Sequence, residues 1–147
     1  MKQHDPCREW LESYRELSVE AARMRKQHER LFTQATQITS RLSKEPKGSG
    51  GDREKLLAAL ADADGEAMRK YAEAEQRMRD IEEFINRLPN RMGRIVLKLR
   101  YVDLMHWKDI RRELARLNLN YEEAQIYRFH GIGLREARAE WKESNHG

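Results

Sequence analysis

The chain has a single cysteine, Cys7, which excludes an internal disulfide. Its five histidines, His4, His28, His106, His130 and His146, have no spacing that would gather metal ligands, so no structural metal is expected. No apolar run approaches the roughly 18 residues that a membrane-spanning helix needs. The opening "MKQHDPCREW" also lacks the apolar core of a secretory signal, and both absences predict a soluble, cytoplasmic protein with no membrane partner. Only three prolines and three phenylalanines occur. Strand formers are scarce, whereas Ala, Glu, Lys, Leu and Arg abound, which predicts an all-α fold. No Ser/His/Asp or Cys/His set, phosphate-binding loop or catalytic carboxylate pair can be found, so neither enzymatic activity nor a cofactor is expected.

With 39% apolar and 37% charged residues, the 147-residue chain is hydrophilic for a globule, as elongated helical proteins are. Its net charge of +4 is unevenly placed. Residues 1–90 hold 17 basic and 17 acidic side chains, and residues 91–147 hold 12 and 8. The whole excess lies toward the C-terminus, where an anionic partner is expected.

The plainest interruption is "SKEPKGSGGD", residues 43–52, read as a loop after which Asp52 caps a new helix. Before it, Trp10, Tyr14, Leu17, Ala21, Met24, His28, Leu31, Ala35, Ile38 and Leu42 follow one another at alternating steps of four and three. After it, Leu57, Leu60, Asp64, Ala67, Tyr71, Ala74, Met78, Ile81, Ile85 and Leu88 form a similar series. Asp5 followed by Pro6 reads as the first helix's N-cap. These signals predict an antiparallel coiled-coil hairpin over residues 1–88, each helix about 50 Å long. With Leu42 level with Leu57, His28 would lie near Tyr71, Asp64 opposite Ala35 and Trp10 opposite Leu88. Leu11, Phe32, Met68 and Phe84 flank the seam, an apolar surface to be covered by the C-terminal domain or by another subunit, such as a homodimer partner.

Residues 89–147 read as a small three-helix domain. Asn90 can start a helix carrying Ile95, Val96, Leu99 and Tyr101; after a break at residues 103–106, Trp107, Ile110 and Leu114 resume the apolar face. Asn120, three residues before Glu123, reads as the capping-box start of a last helix. That helix would bury Ile126, Phe129, Gly133 or Leu134, Ala137 and Trp141, and display Tyr121, Gln125, Arg128 and Arg135. A helix-turn-helix places such residues in a major groove, where Arg pairs with guanine and Gln with adenine.

At these residues the chain resembles region 4 of sigma-70-type transcription factors, in the form carried by phage and prophage sigma-like or late-operon regulators. "VLKLRYVDLMHWKDI" is similar to that family's first helices and "QIYRFHGIGL" to its recognition helix. The upstream "ATQITSRLSKEPKGSGGDREKL" is similar to a helix-loop-helix that often precedes the domain. The resemblance implies a sequence-specific regulator that inserts a helix over about residues 121–138 into double-stranded DNA, with RNA polymerase as a further partner. Gln125, Tyr127, Arg128 and His130 fall on or beside the reading helix, and Leu99, Tyr101, Trp107, Ile110, Ile126, Phe129 and Leu134 on the family's core. Tyr121 and Arg135 belong to the same displayed surface, and Lys108, Arg111 and Arg112 are placed to hold phosphates. Two departures stand out: Arg111 replaces a small residue at the helix crossing, and "LARLNLNYEEA" lengthens the turn. The competing reading is a protein-interaction or dimerisation module whose helix-turn-helix no longer binds DNA.

Overall fold

A computed structural model describes residues 4–42 and 50–144. Every regular element among them is helical: α1 (Pro6–Leu42), α2 (Gly50–Asn86), α3 (Arg91–Leu97) continued by a π-helical turn (Lys98–Val102), α4 (Trp107–Arg116) and α5 (Glu123–Glu143). The fold is all-α. No described helix is long and apolar enough to cross a membrane.

α1 starts where the Asp-Pro signal places it. Asp5 accepts a hydrogen bond from the Arg8 N–H at 3.1 Å, and proline occupies the first helical position, where an N–H has no helical acceptor. α2 starts earlier than expected, at Gly50, so Asp52 lies inside its first turn rather than capping it. Of the ten residues read as a loop, 43–49 lie outside the described residues.

The chain packs as two units, one formed by Leu17–Gln76 and the other by the start of the chain through Glu16 together with Arg77 onward. The sequence boundary at residues 88 and 89 separates helices; the packing divides within α1 and α2 instead.

In the unit formed by Leu17–Gln76, the seam positions are the less exposed ones. Ala21, Met24, Ala67 and Ala74 are buried, and Leu31, Ala35, Ile38, Leu57 and Leu60 are half-buried. The register differs from the expected one by a heptad. His28 Nδ1 meets Asp64 Oδ1, not Tyr71, and Asp64 is not left opposite Ala35. Apolar seam positions recur every seven residues and fit either register about equally well; the two polar residues do not, because only this one lets an imidazole and a carboxylate satisfy each other. Phe32 and Met68 remain exposed, at 65% and 39%.

The other unit has two apolar centres. In the first, Leu11, Ile81, Phe84, Ile85 and Leu88 are buried, and Trp10 packs edge-on against Phe84 at 5.0 Å. The Trp141 ring of α5 lies 5.0 Å from Trp10 and 6.4 Å from Phe84. Leu11 and Phe84, expected to need a cover, therefore have one within this unit. Full burial of a phenylalanine such as Phe84 contributes about 1.5–3 kcal/mol. The Arg138 guanidinium donates to Asp5 at 2.8 Å, fastening α5 beside the start of α1.

The second centre consists of Val96, Leu99, Ile110, Leu114 and Ile126, with Trp107, Leu119, Tyr121 and Phe129 packed against it. Asn90 caps α3 by accepting from the Gly93 N–H at 2.8 Å. The π-helical turn closes with Asp103 N–H donating to the Lys98 carbonyl at 2.9 Å, and Leu104 follows in the left-handed region with φ 57. α4 ends in a Schellman motif: Asn118 takes φ 65, its N–H donates to Ala115, and the Leu119 N–H donates to Leu114 at 2.8 Å. Leu119 is thereby brought onto the core.

Candidate nucleic-acid interface

α5 begins at Glu123, not at Tyr121, and its N-cap is Glu122 in extended conformation, not Asn120. The reciprocal bond of the cap comes from Gln125, whose side-chain oxygen accepts from the Glu122 N–H at 3.0 Å. The pattern Glu-x-x-Gln at 122–125 carries the same spacing as the Asn-x-x-Glu read from the sequence, two residues further along.

The inward face of α5 holds Ile126, His130, Gly133, Leu134 and Ala137. Gly133 is required by contact with α3. A Cβ there would lie 2.9 Å from Leu97 Cγ and 3.0 Å from the Gly93 carbonyl oxygen, and one on Gly93 would lie 3.0 Å from Gly133 Cα. Two helix backbones approach at this pair as only glycines allow. Gly131, two residues earlier, faces open space.

His130 is a correction to the expected reading surface. It is buried, shares a 2.9 Å hydrogen bond with the Tyr101 hydroxyl, and lies with its ring centroid 4.9 Å from that of Trp107. Burial, reinforced by the Arg8, Arg100 and Arg138 charges, pushes its pKa down to about 4, so it is a neutral core residue near pH 7. The signal was present: residue 130 lies four after Ile126 and three before Gly133, on the buried stripe. Tyr121 is corrected too. It precedes α5, is half-buried, and packs edge-on against Phe129 at 4.9 Å.

The remaining expected residues are exposed. Gln125, Arg128 and Arg135 lie along the outward stripe of α5, with Arg128 directly opposite the buried face. Tyr127, 47% exposed, sits beside that stripe and packs edge-on against Trp107 at 4.8 Å. Trp107 is covered on another side by the Arg100 guanidinium, 4.9 Å from its ring centroid. Lys108, Arg111 and Arg112 share the exposed side of α4 at helical spacing.

Their charges are engaged to different degrees. Arg111 lies 3.3 Å from the Glu122 carboxylate and Arg112 3.7 Å from Asp109. Both pairs are solvent-exposed, so each contributes at most about 1 kcal/mol and can exchange a carboxylate for another anion. Among the described residues, no carboxylate pairs with Lys108, Arg128 or Arg135. Among the described residues, three cations without a carboxylate partner, two weakly held ones and one carboxamide therefore border α4 and the first four turns of α5. Sequence reasoning missed Glu122 as the residue that joins them: its backbone fixes Gln125 and its carboxylate meets Arg111. Among the described residues, no group of three or more His, Cys, Asp or Glu is placed to hold a metal ion.

Cys7 adds no chemistry here. Its thiol is 2% exposed, and burial, with the nearby Asp5 charge, pushes its pKa up to about 11, which disfavours the reactive thiolate. Compared with protein families, curated proteins and solved structures, the chain matches none.

Proposed function

We propose that this chain is a sequence-specific DNA-binding transcription regulator, of the phage or prophage type that resembles sigma region 4, with α5 lying in the major groove. The observation that supports it best is the outward stripe of α5: Gln125 and Arg128 project from a helix whose opposite face is seated by Ile126, Gly133, Leu134 and Ala137. A rigid helix with free donors at its N-terminal half can hold them against base edges without first ordering a loop. Lys108, Arg111, Arg112 and Arg135 would hold the phosphates on either side, and Tyr127 would lie at the edge of the same surface. By the same resemblance, RNA polymerase is a second partner, and the bacterial host cytoplasm is where both would be met.

The test is selection from random-sequence duplexes, followed by titration of the selected duplex at two salt concentrations. Phosphate contacts make the affinity fall as salt rises, by about 0.9 log units per log unit of salt for each phosphate neutralised. Absence of a selected motif and of any salt dependence would contradict the reading.

A second reading, a protein-interaction module, draws on the exposed Phe32 and Met68. It predicts a homodimer or a bound protein partner in solution, lost on Phe32→Ser, and no selected DNA motif.

A further inference from the structure

We propose that Gln125 reads DNA as a hydrogen-bond donor only, so that the base it faces is guanine or thymine and not the adenine that glutamine commonly selects. This inference rests on the DNA-binding reading above. It comes from the cap of α5, which uses the same side chain.

The Glu122 N–H is one of the helix-start donors with no acceptor inside the helix, and the Gln125 oxygen receives it at 3.0 Å. Only the oxygen of a carboxamide can accept from an N–H, so this bond fixes which way the amide is turned. The nitrogen keeps both of its protons, neither of which the cap uses. Glu122 is itself held, with its backbone extended at φ −74 and ψ 157 and its carboxylate 3.3 Å from Arg111 of α4. The cap is thereby tied to both helices of the helix-turn-helix.

Paired recognition of adenine needs both amide atoms laid along one base edge, the oxygen accepting from N6 and the nitrogen donating to N7. An oxygen turned back to residue 122 is not offered to that edge. Reading adenine would release the cap and leave the Glu122 N–H unpaired wherever DNA excludes water. Guanine presents two acceptors, O6 and N7, and thymine presents O4, so the NH₂ can meet either with the cap intact. Cytosine offers a donor and is disfavoured. The cap thus chooses among the bases, and the specificity-determining group is a backbone N–H that never touches DNA.

The experiment is duplex selection with the wild-type chain and with Gln125→Ala, Glu122→Gln, Glu122→Pro and Gln125→Glu, each checked for helicity by circular dichroism. Gln125→Ala identifies the base position by flattening it. At that position the wild type and Glu122→Gln, which keeps the N–H, select guanine or thymine over adenine by on the order of tenfold. Glu122→Pro removes the N–H at a φ proline accepts and frees the oxygen, moving the preference to adenine. Gln125→Glu keeps an acceptor for the cap and offers no proton, moving it to cytosine, which keeps the test decisive if the proline variant does not fold. Adenine selected by the wild type, or a motif that Gln125→Ala leaves unchanged, would overturn the proposal while leaving DNA binding intact. No motif from the wild type would overturn both.

Discussion

Gly93 and Gly133 meet backbone to backbone where α3 crosses α5: a side chain on Gly93 would begin 3.0 Å from the Gly133 Cα. That contact seats the helix whose other face carries Gln125 and Arg128. Gly133→Ala should therefore cost about 1–3 kcal/mol, because the added methyl meets a backbone carbonyl as well as Leu97. Gly131→Ala, facing open space in the same helix, should instead stabilise by up to about 1 kcal/mol. Urea unfolding of the two variants gives opposite shifts in midpoint if the seat is as described.

His130 makes stability fall in mild acid. Its folded pKa lies near 4, below the ordinary value of 6.5, so the folded state resists a proton that the unfolded chain accepts. Above pH 6.5 neither state is charged and nothing is lost. As pH falls from 6.5 toward 4 the unfolded state gains, by a total of about 3 kcal/mol. Unfolding measured at pH 7.5 and 4.5 should show this loss in the wild type, and a smaller loss in His130→Gln, which cannot titrate.

His28 and Asp64 should show energetic coupling. A double-mutant cycle with His28→Ala and Asp64→Ala is expected to give about 0.5–1 kcal/mol, modest because both side chains are about one-third exposed. Replacing both by leucine should not destabilise the chain, yet it removes the feature that distinguishes registers one heptad apart. Cysteines placed at Ala21 and Tyr71, level with each other if the His28–Asp64 register continues along the seam, should cross-link readily in the wild-type background and incompletely in the double-leucine variant.

Sequence periodicity was informative where one physical requirement dominated. The four-three spacing of apolar residues identifies the positions that the seam keeps least exposed, because burial alone decides them. Register needed a pairing rule that periodicity lacks, although the two polar exceptions, His28 and Asp64, carried it. Gly50 and Gly51 read as loop residues on propensity, yet the structure includes both in α2. In α5, the inward stripe was legible down to Gly133. His130 was placed on or beside the reading helix by the resemblance, whereas its spacing from Ile126 and Gly133 puts it on that buried stripe. Nothing in the pattern separated the caps at Asn120 and Glu122, since both offer a partner three residues on; the structure uses Glu122.

Leu104 provides a local check on the turn after α3. A leucine at φ 57 costs roughly 1–2 kcal/mol relative to glycine, and 42% of it is exposed, so little packing offsets the strain. Leu104→Gly should raise thermal stability by part of that amount, read as an increase in Tm.

If the proposed DNA-binding function holds, the two arginines of the outward stripe divide between base reading at Arg128 and phosphate holding at Arg135. Using the selected duplex and a scrambled one, Arg128→Ala should lose about 1–3 kcal/mol of discrimination between them. Arg135→Ala should weaken both alike and lower the salt slope by about 1. Discrimination unchanged by Arg128→Ala, or no salt-dependent binding by the wild type, would contradict the account.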